Sequence, residues 1–300
     1  MKYAISFAIA MLTLGSAPAL AQNGEISYQS TEMAPGIVML EGEGGFTGGN
    51  LGLWIGDDGV ILIDDGMQPY LQIMLDTIRE RVGAPVDFVI NTHVHGDHIG
   101  NNAALSMQGA TIIAHDNILK RMLSDGISGP AGREPPDRHT LPEITFSDGV
   151  TLHLNGHRAE VMHVRNAHTD GDAIIHFPDA DVIHSGDVVF NGLYPFIDLD
   201  SGGSVNGYIA AQERVLSLAG KGTRIIPGHG PVASKADVEA ARDMLVDARD
   251  KVHELLRSGK SEAEILASNP LADYDADWSW GFINTERMTR TLVRDLSTAD

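Results

Sequence analysis

The sequence contains no cysteine. That excludes disulfides, a thiolate metal ligand, a thiol nucleophile and a lipidated cysteine anchor. Basic residues are scarce as well: 21 Lys and Arg stand against 41 Asp and Glu, a formal net charge of -20. An acidic surface of this kind repels nucleic acid and anionic lipid, so neither is an expected partner. Internal repeats and low-complexity segments are absent. What the chain does offer for chemistry is carboxylate and a generous supply of histidine, 13 residues in all.

The N-terminus reads as an address and not as fold. Lys2 precedes an apolar run from Ala4 to Leu14, and Ala19-Leu20-Ala21 supplies small residues at cleavage positions. That order is the pattern of a secretory signal peptide. The run is too short to anchor the chain across a bilayer. Residues 1–21 are therefore expected to be removed, leaving Gln22 first and a periplasmic or secreted protein. Residues 22–300 suit one large α/β domain with an ample core.

Four strand signals open that domain, around 26–30, 37–41, 50–55 and 60–64. Between the second and third lies EGEGGFTGGN, with five Gly in ten residues and one aromatic, Phe46. Such a segment is a candidate mobile flap, with Phe46 as a candidate substrate contact. Leu71, Met74, Leu75, Ile78 and Val82 recur at helical spacing after Pro69. A strand at 86–90 then runs into Asn91-Thr92-His93. A helix is expected near 101–108, a strand at 111–114 and a helix near 117–123. Residues 124–143, rich in Pro, Gly and charge, read as a long irregular connection. Strands follow at 151–154, 160–164, 173–176 and 182–185, then a helix near 205–219 and a strand at 224–227. Val238, Ala241, Leu245, Ala248, Val252 and Leu255 mark a long amphipathic helix. Helices near 261–267 and 285–296 close the chain. A β-rich stretch and βαβα, then β-rich and αβα, suggest two sheets face to face with helices outside, a four-layer sandwich.

The strongest signal is His93-Val94-His95-Gly96-Asp97-His98. Four ligand-type residues at set positions arise by chance roughly once per 10⁶ windows. His93 and His95, two apart in extended chain, point the same way and can grip one ion. Gly96 allows a turn, which aims Asp97 and His98 toward a second ion. Three later candidates also follow strands and sit by Gly: His168, Asp187 in Gly186-Asp187 and His229 in Gly228-His229.

Taken together, the HxHxDH motif, the later His, the Gly-Asp and the final Gly-His resemble the metallo-β-lactamase superfamily in order and spacing. The resemblance runs from Ile37 past His229. It implies an αββα fold of the metallo-β-lactamase type and two Zn²⁺ per chain. His93, His95 and His168 would hold the first ion and Asp97, His98 and His229 the second, with Asp187 bridging. Asp64 would orient a ligand histidine. The implied chemistry is hydrolysis of a small molecule by a metal-bridging hydroxide, with Asp97 orienting it and relaying a proton. Export makes a β-lactam the leading substrate. Lactones, thioesters and phosphoesters are the alternatives, since the all-His/Asp donor set is closer to the superfamily's Cys-free members. A mononuclear iron dioxygenase is a more distant one.

The other candidates have plainer readings. His176 and His184 read as core or surface residues, and His115, His153, His157, His163 and His253 lack a partner motif. Asp170 and Asp172 read as turn formers. Trp278 and Trp280 are expected to pack the C-terminal helices rather than wall a pocket. Arg133, Arg138 and Lys120 are the nominated cations for a substrate carboxylate, with His139 in the same loop as Arg133 and Arg138.

Overall fold

Strand alternation determines how the first sheet is covered. In β2 (Ile37–Glu43), Ile37 and Met39 face one side, and Val38 and Leu40 the other. In β4 (Gly59–Ile63), Ile61 and Ile63 join the first set, and Val60 and Leu62 the second. All eight are buried, so this sheet must be covered on both faces. The computed structural model, which describes residues 25–129 and 132–298, shows that cover. The expected signal peptide lies outside the described residues.

The first sheet has seven strands. They are β1 (Ser27–Ala34), β2, β3 (Leu51–Gly56), β4, β5 (Phe88–Ile90), β6 (Thr111–His115) and β9 (Ile144–Phe146), in that spatial order. The pairs from β1 to β4 are antiparallel, and those from β4 to β9 are parallel. Helices α1 (Leu71–Val82) and α2 (Asn102–Met107) make the crossovers. Met74 and Ile78 of α1 and Leu105 of α2 pack on the outer face.

The second sheet holds β10 (Gly149–Leu154), β11 (His157–His163), β12 (Ala173–Phe177), β13 (Val182–Phe190) and β14 (Arg224–His229). Only its last pair is parallel, joined through α4 (Val205–Leu218). Between the sheets lies a core of Trp54, Ile61, Ile63, Ile90 and Phe146 against Val161, Ile175, Phe177 and Ile226. The outer face of the second sheet carries α4 and α5 (Lys235–Arg257). The order helix–sheet–sheet–helix is the four-layer sandwich that the element order implies. Helices α6 (Glu262–Ser268), α7 (Asp275–Trp278) and α8 (Thr285–Thr298) pack around α5 in a separate cluster with Tyr194, Met288 and Leu292.

The connection at 124–143 is less irregular than its composition suggests. After α3 (Asp116–Asp125) it forms a hairpin, β7 (Ile127–Gly129) with β8 (Gly132–Glu134), and a 3₁₀ turn at Arg138–Thr140. Ile127 and Leu141 pack against Val94, Ile99 and Ile118, which ties the segment down. Strand β9, not expected from the sequence, forms because Phe146 buries between the sheets.

Candidate metal centre

Strand β5 ends at Ile90, and a buried amide pair, Asn91 with Asn102, fastens its end to α2. The chain then turns: the His98 and Ile99 amides both donate to His95 O, at 2.9 and 3.1 Å. The turn leaves His93 and His98 buried and Asp97 partly open. From the second sheet come His168, in the loop after β11, and His229, the last residue of β14. Asp187 lies within β13 and not just after a strand, because the strand runs on to Phe190.

These seven side chains converge. Asp187 Oδ1 is 3.1 Å from His98 Nε2, and its Oδ2 is 3.4 Å from both His168 Nε2 and His229 Nε2 and 3.7 Å from His93 Nε2. Asp97 Oδ2 lies 3.6 Å from His98 Nε2 and 3.5 Å from His229 Nε2. Three groupings come within reach of one ion each, His93–His95–His168–Asp187, Asp97–His98–His229 and Asp64–His93–His98. Asp64 is taken up by Thr92 and His98 Nδ1, which leaves the first two as the candidate sets. Glycine is required at the seam. A Cβ on Gly228 would stand 2.0 Å from Asp187 Oδ1, and one on Gly49 would stand 2.2 Å from the His98 ring.

Outer hydrogen bonds decide which ring nitrogens carry protons. His168 Nδ1 faces Phe196 O at 2.7 Å, and His95 Nε2 faces Asp198 Oδ2 at 2.8 Å. Both partners only accept, so both nitrogens must donate. Yet His168 Nε2 and His95 Nδ1 then face each other at 2.8 Å with a lone pair on each. His93 behaves alike. Thr92 Oγ1 gives its proton to Asp64 and accepts from His93 Nδ1 at 3.0 Å, so His93 Nε2 is a bare acceptor. His98 Nδ1 donates to Asp64 Oδ2 at 2.8 Å, which leaves its Nε2 to meet a metal ion or, without one, to carry a proton toward Asp187. His93 Nε2, His98 Nε2 and Asp187 Oδ1 are all buried without a hydrogen-bond partner. Lone pairs converging on one another are tolerable only around a cation, a metal ion or, in its absence, protons. The donor set therefore fits divalent metal of the borderline kind, of which zinc is the type.

Electrostatics agree. Burial pushes the His168 ring down to about 4 and, with His98 nearby, His93 well below its ordinary value, so both are neutral donors of lone pairs. Burial opposes charge on His98 and His229 too, but Asp187 and other carboxylates outweigh it. His98 is held well above its usual value, and His229 is pushed up to about 9. Burial likewise works against ionised Asp97, but His98 and His229 bring it down to about 2. With no metal to balance the carboxylates, the cluster holds protons instead.

Aromatic rings surround the opening. Phe190 stacks on His229 at 4.8 Å, and Phe46 stacks on it at 5.8 Å. Trp280 is 6.3 Å from His229, and Phe196 is 5.6 Å from His95. Trp280 packs against the C-terminal helical cluster as expected and also stands beside His229, with its Nε1 donating to Tyr194 O. Trp278 packs in the same helical cluster. The nominated cations lie elsewhere. Lys120 shares a separate cleft with a stacked pair, His115 and His163, and Arg133 donates to Gly126 O in the hairpin. Arg138 belongs to the 3₁₀ turn. His184 is fully buried, accepting from Gly186 N, and His176 faces Glu160. Asp170 pairs with Arg121, and Asp172 accepts from Thr169.

The superfamily profile described as metallo-beta-lactamase matches residues 44–251, which contain all seven convergent residues. The chain belongs to the metallo-beta-lactamase superfamily. It is 24% identical over 228 residues to the acyl-coenzyme A thioesterase MBLAC2 of Bos taurus, covering 67% of this chain and 81% of that protein. A metallo-beta-lactamase type 2 of Bacillus cereus is 23% identical over 190 residues, covering 62% of this chain and 69% of that one. A hydroxyacylglutathione hydrolase of Methylococcus capsulatus is 27% identical over 192 residues, covering 61% and 65%. Among solved structures, a metallo-beta-lactamase from Pontibacter korlensis matches with TM-score 0.61 and 18% identity, over 74% of this chain and all of that one. A sec-alkylsulfatase from a Pseudomonas species matches with TM-score 0.69 and 16% identity, over 89% of this chain and 50% of that one. These likenesses show the fold. The superfamily's members are metal-dependent hydrolases, and this chain is a metallo-hydrolase of that family. Its matched region stops within α5, so Trp280 and the rest of α6–α8 lie beyond it.

Proposed function

We propose that this chain is an exported dinuclear zinc hydrolase that cleaves an activated acyl bond, a thioester foremost. The observation that carries it is Asp187, whose two carboxylate oxygens face histidines of both sets at 3.1–3.7 Å. His93, His95 and His168 would hold one ion, Asp97, His98 and His229 the other, and Asp187 both. Bound there, the pair supplies Lewis acidity and a nucleophilic water at neutral pH.

The chain's own groups do the rest. Asp97, ionised and partly open, accepts a hydrogen bond from the attacking water and passes its proton to the leaving group. Asp64 and Asp198 fix His98 and His95 in the orientation the site needs. Asp187 places a full negative charge between the two sets, leaving less positive charge to steady a departing group. A thiolate, with a conjugate acid near pKa ~8.5, departs with little help, whereas an amide nitrogen needs much more. The β-lactam reading keeps one observation in its favour: Phe46, 54% exposed over His229, could cover a bulky apolar ring.

Elemental analysis of the purified protein should find two zinc-type ions per chain. Turnover of thioester, lactone, phosphodiester, nitrocefin and carbapenem by zinc-loaded enzyme should be highest for the thioester and abolished by chelation. One tightly bound iron with no second site, or cleavage of phosphodiester alone, overturns the reading. Export is tested by N-terminal sequencing of the fractionated protein, which should begin at Gln22.

A further inference from the structure

The opening has a direction to it. From His95 the rings step outward through Phe196, 5.6 Å away, to Phe282, a further 5.4 Å. From His229 they step through Trp280, 6.3 Å away, to the same Phe282, 5.6 Å beyond. Over Phe282 lies the Arg287 guanidinium, with Cζ 4.0 Å from the ring centre and 5.5 Å from that of Phe196. An apolar track thus leads from the histidines to one cation.

Three features mark this as built for a ligand. Phe282 is 47% exposed, and it and Phe46 are two of the five large exposed hydrophobics among the described residues. The track is also rigid: Trp280 Nε1 donates to Tyr194 O at 2.9 Å, Tyr194 N donates to Trp278 O at 2.7 Å, and Trp280 N donates to Ile283 O at 3.0 Å. Finally, Arg287 departs from its neighbours on α8. Arg290 pairs with Glu262 and Glu286, and Arg294 pairs with Asp200. Arg287 has no carboxylate partner among the described residues and only donates to Phe282 O. In a chain of net charge -20 that is an uncommon place to leave a guanidinium free. Stacked on a ring, it keeps an edge of N–H groups to offer a planar anion.

We propose that Trp280, Phe282 and Arg287 form a substrate subsite that selects acyl substrates with an apolar body and a carboxylate remote from the bond cleaved. The proposal rests on the hydrolase reading above and names its substrate class. The apolar body lies along Phe196, Trp280 and Phe282, and the carboxylate meets Arg287.

The test uses the zinc-loaded full chain and two readouts. In the first, kcat/KM is compared for a pair of phenylalkanoyl thioesters, identical except that one carries a remote carboxylate and the other its primary amide. Wild type should prefer the acid by about tenfold, the scale of one charge-assisted contact, chiefly through KM. Arg287→Met should erase that preference, and Arg290→Met should retain it. In the second, tryptophan fluorescence follows binding of 4-phenylbutyrate and of its amide, which needs no turnover. The acid should bind more tightly to wild type, and the difference should vanish in Arg287→Met. Equal handling of acid and amide by wild type, or a preference that survives in Arg287→Met, overturns the subsite. If no thioester is cleaved but the binding preference holds, the thioester reading fails and the subsite stands.

Discussion

Replacing Asp64 by Asn separates the role of its charge from that of its shape. Asp64 is fully buried with φ of 57°, a conformation that Asn tolerates better than most residues. Its Oδ1 accepts from Thr92 N at 2.7 Å, and its Oδ2 accepts from Thr92 Oγ1 at 2.7 Å and His98 Nδ1 at 2.8 Å. An Asn amide has one acceptor and one donor end, so either orientation sets two donors face to face. The Thr92 backbone N–H cannot change, but the His98 ring can. The expected result is an amide nitrogen facing His98, which moves the ring proton from Nδ1 to Nε2. That removes the lone pair aimed at the second ion. Stability should fall by about 1–3 kcal/mol, the range for one mismatched buried donor. Metal affinity at the Asp97–His98–His229 set should drop about 10–100-fold, as for loss of an outer hydrogen-bond partner, with the other set little changed. Competition with a chromophoric chelator reads both affinities. A folded Asp64→Asn protein that binds two ions at wild-type affinity would refute the tautomer argument.

Metal-free protein should lose stability between pH 6.5 and about 9. His229 has its folded value raised to about 9 by Asp187 against the pull of burial, so its stabilisation is complete below 6.5 and gone above 9. Buried Asp172, pushed up to about 8, acts in the same direction from 3.8 upward. A metal-free melting temperature that rises across pH 6.5–9 contradicts this. In the same window metal uptake should release protons and tighten as pH rises, measurable by titration in buffers of different ionisation enthalpy. Gly228→Ala should displace the Asp187 carboxylate, costing about 1–3 kcal/mol as an overpacked contact and lowering metal content; unaltered content and melting temperature would rule that out. Asp198→Ala should weaken metal at the His93–His95–His168 set about 10–100-fold by freeing the His95 ring, and equal affinity would sink the assignment.

How legible the chain was depended on distance along it. Alternation in 37–40 and 60–63 announces a sheet covered on both faces, because side-chain period and burial are local properties. The HxHxDH motif is legible for a similar reason: six consecutive residues at one strand end carry their own geometry. His168, Asp187 and His229 could be picked out by their Gly neighbours, and the structure gathers all three beside the motif. Asp198 had no such mark. It meets His95 across 103 residues, within a turn whose composition is ordinary. Phe196, Phe282 and Arg287 were invisible for the same reason. Trp280 packs the C-terminal helices as expected, but its approach to His229 was not legible, because helical packing and the edge of a site ask the same thing of an indole.

The division of the seven convergent side chains between two sheets has a consequence for assembly. Four come from the turn after β5, and three arrive from the facing sheet, the last of them at position 229. No truncated chain lacking β14 can complete both sets, and no half of the sandwich contains Asp187 together with the motif. The centre exists only after the ends of β5 and β14 have been brought together across the two facing sheets, a strongly non-local event. Capture of the second ion would then serve as a clock for the final docking of the sheets. Refolded with metal present, the chain should bind one equivalent no faster than its two sheets meet.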